Sequence, residues 1–241
     1  MKKLVYFGLL AALFVFNACS SGADVVCSQG NGNYVEQTRA TPIFHAVVNK
    51  TNYIVRITQS NTNTRIVKVL ADENLQNIIT TQVIDGELVI RNSNCLSSSQ
   101  PVEIHVTLPT IMSVENAASG KVIGENVWFT HALGVINEGS GEIDIEVDAT
   151  HISAFLKGSG KISLYGVAPS MNLEHTSSGS FKGYELACKT VEAYLKGSGD
   201  AWVRVSEDLK VSIESSGDLY YKGYPYLDIA NIGTGSVRND N

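Results

Sequence analysis

Gly139-Ser140-Gly141-Glu142-Ile143-Asp144-Ile145-Glu146-Val147-Asp148 joins a triplet of small residues to a strictly alternating polar and apolar run. The triplet recurs. Ala118-Ser119-Gly120, Gly158-Ser159-Gly160, Ser177-Ser178-Gly179, Gly197-Ser198-Gly199, Ser215-Ser216-Gly217 and Gly233-Thr234-Gly235 complete a set of seven, and their last glycines lie 18 to 21 residues apart. A period near twenty residues marks a solenoid, in which each repeat buries its apolar face only against its neighbours.

Aligning the blocks on the last glycine turns the period into a cross-section. Two residues after it stand Val122, Ile143, Ile162, Phe181, Ala201, Leu219 and Val237. Six before it stand Val114, Val135, Ala154, Leu173, Ala193, Val211 and Ile229, and eight before it Met112, Leu133, Ile152, Met171, Val191, Leu209 and Leu227. Apolar residues at even offsets share one strand face, and the odd offsets are mostly polar. The pattern predicts an all-β, parallel β-helix with coils of about 18 to 21 residues; seven coils roughly 4.8 Å apart would rise roughly 34 Å. Small residues with φ freedom suit the repeated corner. Offset four before the glycine is mixed, with Asn116, Asn137, Leu156, His175, Leu195, Ile213 and Asn231. If it points inward, its Asn and His residues need internal partners.

The first half lacks a glycine period. Alternation predicts strands near 44–48, 53–58, 66–71, 78–84, 88–91 and 102–108, with Asp85-Gly86 as a hairpin turn and Asp72 to Leu75 as a short helical turn. Two architectures fit this region: a β-sandwich-like layer, or irregular first coils that cover the solenoid's exposed strand edge. Ser20 to Tyr34 is rich in Ser, Gly and Asn and reads as a flexible tether.

Lys2-Lys3, the apolar run Leu4 to Phe16 and Asn17-Ala18 ahead of Cys19 fit a secretory signal peptide too short to span a bilayer. A small residue before Cys19 resembles a bacterial lipobox, which would make Cys19 the acylated first mature residue. The chain carries a net charge of −6 and has no basic run after the leader, so nucleic acid is an unsuitable partner. Of the other cysteines, Cys188 reads as a small buried hydrophobe. Cys27 and Cys95 either pair in an oxidising envelope or remain thiols.

The sequence holds no nucleophile elbow, phosphate loop or zinc-protease pattern, and its Gly-x-Gly triplets open no helix, so it predicts no catalytic residues and no cofactor. His131 and His151 fall near equivalent coil positions but lack a third ligand, so no metal is expected. Glu142, Asp144, Glu146 and Asp148, with Asp200 and Asp218 on later coils, read as a solvated face. The competing reading is a carboxylate cluster of the polysaccharide-cleaving type. Trp202 and Tyr220, three residues after successive glycines, predict an outward aromatic platform for a glycan or a protein partner; Tyr194 lies at another outward offset. Tyr220, Tyr221, Tyr224 and Tyr226 are expected to cap the last coil.

The order Glu36 to Arg39, Phe44, Ile54-Val55-Arg56-Ile57, Ile78 to Ile90 around Asp85-Gly86-Glu87-Leu88, the Gly-Ser-Gly coils, and Tyr221-Lys222-Gly223-Tyr224-Pro225 resembles the head GIN domain family. These are autotransporter-adhesin-like lipoproteins of Bacteroides-type bacteria. The resemblance spans the chain from about Tyr34 onward. It implies a right-handed β-helix and an outer-membrane lipid anchor, either surface-exposed or facing the periplasm. It also implies a non-enzymatic binding role, and it carries over no catalytic residues. The expected organisation is a signal peptide over 1–18, lipidated Cys19 and tether over 19–35, an N-terminal β region over 36–110 and β-helix repeats over 111–241.

Overall fold

A computed structural model describes residues 27–241, so the leader and Cys19 lie outside the described residues. In the second half each coil places one strand before the small-residue triplet and one after it. Ser113–Asn116 and Lys121–Gly124 make the first such coil, and Tyr226–Asn231 and Val237–Asn239 the last. Between them several strands run unbroken through the opposite corner, notably Trp128–Asn137, Glu142–Leu156, Ser180–Leu195 and Ala201–Ile213.

Two parallel sheets result, with like residues stacked on like. Val114, Val135, Ala154, Leu173, Ala193, Val211 and Ile229 are in register up one sheet. Val122, Ile143, Ile162, Phe181, Ala201, Leu219 and Val237 are in register up the other. Both ladders are buried as far as the penultimate coil. In the last coil Leu227 and Ile229 are exposed because no strand among the described residues stacks on them. The ladder eight before the glycine fails at its first member. Met112 is 57% exposed, and Ile111 fills the core instead. The terminal tyrosines do not form the expected cap either: Tyr221 is buried, but Tyr224 and Tyr226 point into solvent.

The corner glycines are required for a reason other than φ freedom. Among the described glycines only Gly32, Gly86, Gly166 and Gly223 adopt positive φ. At the corners the preceding coil's carbonyl lies against the Cα. A Cβ on Gly141 would stand 1.8 Å from the Gly120 oxygen, and one on Gly199 1.9 Å from the Gly179 oxygen. The approach lets corner amides continue the ladder, with Glu142 N donating to Gly120 O at 3.1 Å and Lys161 N to Gly141 O at 3.0 Å.

Offset four points inward. Asn49, Asn116 and Asn137 are fully buried, and each spans its own corner. Asn116 Nδ2 donates to Gly120 O at 2.7 Å, Asn137 Nδ2 to Gly141 O at 2.8 Å, and Asn49 Nδ2 to both Tyr53 O and Asn116 Oδ1. His175 occupies the same slot, fully buried, but neither ring nitrogen makes a hydrogen bond.

The first half consists of irregular coils plus a cap, and it does not stack in chain order. Ala46–Asn49 and Ile54–Gln59 form a coil wedged between the 113–124 coil and a later one, Glu87–Asn92 with Glu103–Leu108. Ile79–Ile84 and Ile66–Asp72 then close the two sheets by antiparallel pairing, and Tyr34–Arg39 adds an outer antiparallel strand. Asp85 (φ 52°) and Gly86 (φ 82°) form the expected tight hairpin turn. The helical turn is a single turn at Glu73–Leu75.

From Cys27 onward the structure contradicts the tether reading, and residues 20–26 lie outside the described residues. Cys27 is disulfide-bonded to Cys95, and Ser28–Gln29 pairs in parallel with Leu96–Ser97. Buried Asp72 clamps this corner, accepting hydrogen bonds from Gly32 N, Ser98 Oγ, Ser99 N and Ser99 Oγ. Those donors pull its carboxyl down to about 2, led by the Ser98 hydroxyl. Cys188 is buried as expected, and desolvation pushes its thiol up to about 12.

Candidate functional site

In a parallel stack, residues at one outward offset form a column along the solenoid. Three residues after the glycine, that column reads Asp144, Ser163, Lys182, Trp202, Tyr220 and Arg238 in continuous register. The strand spacing is close to the spacing of stacked rings, so adjacent aromatics lie face to face. Trp202 and Tyr220 stack with centroids 5.3 Å apart and planes inclined by 7°. Lys182 Nζ sits 2.9 Å from the Trp202 centroid and Arg238 Cζ 5.7 Å from that of Tyr220. The column is thus a cation, two rings and a second cation.

Acidic groups brace it at the Arg238 end and along the Tyr220 coil. Asp218 pairs with Arg238 at 2.9 Å and takes the Ser236 amide, while Asp200 takes the Asp218 amide. Desolvation lowers the Lys182 ammonium and raises the Tyr220 hydroxyl. The register slips between Gly183 and Ala187, and this bulge lifts Tyr184 out of the ladder. Lys222 Nζ lies 4.6 Å from the Tyr184 ring, whose hydroxyl donates to Asp240 at 2.6 Å. Leu164, Tyr165, Lys182, Tyr184, Glu185 and Trp202 line a hollow of about 220 Å³ beside the stack.

The expected aromatic pair therefore exists, but as a closed stack and not an open platform. Lys182 and Tyr220 flank Trp202, and Trp202 and Arg238 flank Tyr220. What remains for a partner is the rings' edges and the cationic groups at either end of the pair. Tyr194 belongs to the other sheet, where its hydroxyl donates to Glu192, which also binds Lys210 at 2.6 Å.

Two of the remaining polar candidates, Glu142 and His151, serve the scaffold. Glu142 bridges Lys121 and Lys161 at 3.3 and 3.0 Å, and these lysines hold its carboxyl below the usual range. His151 sits between Ser170 Oγ and Ser153 Oγ, each at 3.1 Å. Among the described residues no three His, Cys, Asp or Glu side chains converge on a metal-sized site.

A second feature has no signature in the sequence. Phe129, 65% exposed, stands between two clefts of about 820 and 570 Å³ at the corner opposite the glycines. It lies outside every glycine-aligned ladder. Trp128, its buried neighbour, hides the alternation that would have marked it as outward.

Fold and surface together define a parallel β-solenoid whose outward features are aromatic, cationic and amide-bearing side chains. The chain belongs to the family described as "Putative auto-transporter adhesin, head GIN domain", whose model matches residues 43–225. A solved "putative adhesin" from Bacteroides fragilis superposes with a TM-score of 0.83 at 23% identity, covering 88% of this chain and 99% of that one. A second from Parabacteroides distasonis gives 0.73 at 18%, covering 89% and 100%. A "putative lipid binding protein" from the same species gives 0.71 at 20%, covering 88% and 99%. At these identities the superpositions speak to the fold alone. No curated protein sequence matches the chain. No helix among the described residues is long and apolar enough to cross a membrane.

Proposed function

We propose that this protein is a non-catalytic binding module of the cell envelope, anchored through acylated Cys19, that engages a protein partner through the flank of its solenoid. The observation that carries the reading is the stack of Lys182, Trp202, Tyr220 and Arg238. Aromatic and arginine side chains dominate binding hot spots, and groups already locked by packing lose little entropy when a partner lands on them. Occupied ring faces disfavour sugar stacking here and favour a protein surface that presents carboxylates and apolar groups to the ring edges. The engagement of Glu142, Asp200 and Asp218 by lysines and backbone amides favours binding over turnover.

Antibody labelling of intact cells producing the full chain, against permeabilised cells and a periplasmic control, tests the reading. Labelling of intact cells supports an adhesin that meets partners outside the cell. Labelling only after permeabilisation overturns that and leaves a periplasm-facing envelope lipoprotein.

A further inference from the structure

The flank stack carries opposite charges at close range. The Phe129 corner differs from it in chemistry. Its two clefts meet at Gln59, Pro109 and Phe129, and neither contains an Asp, Glu, Lys or Arg side chain. The smaller cleft also holds the His131 and His151 rings, so the zone carries no permanently charged side chain in a chain that is 17% charged. Amides and hydroxyls line it instead. The side chains of Thr58, Asn61 and Thr107 in the larger cleft have no hydrogen-bond partner among the described residues, so their polar groups are free for a ligand.

Phe129 is held in place at this ridge. Its backbone N donates to Gln59 Oε1 at 2.6 Å, while Gln59 Nε2 donates back to Phe129 O at 2.9 Å and to Pro109 O at 3.2 Å. Asn126 locks the same segment through a two-way bond with the Gln59 backbone, 2.9 Å each way. No second ring or cation stacks on Phe129 among the described residues. An exposed aromatic with free faces, fixed by its backbone and flanked by neutral hydrogen-bonding groups, matches a ligand with an apolar face and a hydroxylated rim.

We infer that the Phe129 corner is a binding site for a neutral oligosaccharide, with one sugar ring on Phe129 and neighbouring sugars in the two clefts. The absence of fixed charge selects against uronates, sialylated glycans and phosphorylated ligands, which would lose hydration without gaining an ionic partner. Each cleft lies within the roughly 300–1,000 Å³ typical of small-ligand sites. This inference does not depend on the flank stack, and it places glycan recognition on a different face.

The test is calorimetric titration of the purified full chain in detergent with cellohexaose, maltohexaose, mannohexaose and chitohexaose, with a galacturonic acid hexamer as the charged comparator. At least one neutral hexamer is expected to bind with a Kd of about 1 mM or tighter. Phe129→Ala should weaken it about tenfold, Phe129→Trp should retain it, and Trp202→Ala should leave it unchanged. Phe129 is solvent-exposed, so its loss should not unfold the chain. Failure of every neutral hexamer to bind overturns the inference. So does a preference for the galacturonate, or binding insensitive to Phe129→Ala. None of these outcomes bears on whether intact cells are labelled.

Discussion

Replacing His175 with asparagine should stabilise the protein, and the gain should grow on acidification. His175 stands in the slot that Asn116 and Asn137 use to bridge their corners, but its two ring nitrogens are buried without a hydrogen bond. Orphaned buried polar atoms cost about 1–3 kcal/mol. By analogy with Asn137, the new amide nitrogen would reach the Gly179 and Asp200 carbonyls, at about 1 kcal/mol per bond, while its Oδ1 would stay unpartnered, so that one orphaned atom replaces two. The smaller side chain leaves a gap costing about 1 kcal/mol on the scale of cavity-forming substitutions. The expected net gain at pH 7 is about 2 kcal/mol. Burial lowers the His175 pKa from 6.5; the Gly179 backbone, close to the ring but outside hydrogen-bond geometry, and the Asp200 charge oppose it only in part. Below pH 6.5 the unfolded chain therefore takes up a proton that the folded chain resists. The neutral ring's contribution is complete above that pH and drains as pH falls, by up to about 1.4 kcal/mol per unit. Urea unfolding of both proteins at pH 7.5 and 5.5 measures this, read as midpoint shifts at matched slope. An equal or lower midpoint for His175→Asn at pH 7.5, or a difference that does not widen at pH 5.5, would rule out a penalty from the buried His175 ring.

Three further outcomes are expected. Gly141→Ala sets a Cβ 1.8 Å from a carbonyl oxygen and should destabilise by about 3 kcal/mol, whereas Ala at Gly32, with open space around it, should act only through its φ of +79°; thermal melts rank the two. Cys27→Ser opens a 68-residue loop and should cost about 4 kcal/mol in the chain-entropy model, with no further loss on adding reductant. Asp72→Asn should weaken the fold at neutral pH. The lowered Asp72 pKa gives the wild type stability that is present above about pH 4 and lost as pH falls towards 2, so an acid titration of the variant should be flatter across that window.

The solenoid could be read from the chain because parallel stacking repeats one cross-section, so that burial becomes a ladder of identical offsets. The same logic located the inward Asn and His slot and the Trp202 and Tyr220 column. It failed wherever repetition stops. Nothing periodic marks the 46–59 coil as lying between the 87–108 and 113–124 coils, because that order is set by long-range pairing. Met112 has the right offset, but the chain bends beside Pro109 and Ile111 is buried instead. The glycine triplets were recognised as corners, yet a sequence does not display the neighbouring carbonyl that makes a side chain impossible there. Nor could it reveal that Trp202 and Tyr220 turn their faces towards Lys182 and Arg238, since column order fixes neighbours but not tilt.

The Cys27 to Cys95 bond also decides how the molecule bears a pull. Tension on the chain upstream of Cys27 crosses the two sulfurs and enters at Cys95, next to the Glu87–Asn92 strand, which pairs with neighbours on both sides. The Tyr34–Arg39 strand, paired along one edge only among the described residues, lies off that route. Oxidised, the protein spreads the load over a strand gripped from two sides. Reduced, it passes the load through the short Ser28–Gln29 pairing and the Asp72 bond to Gly32 and then to its outermost strand, which can be peeled away one hydrogen bond at a time.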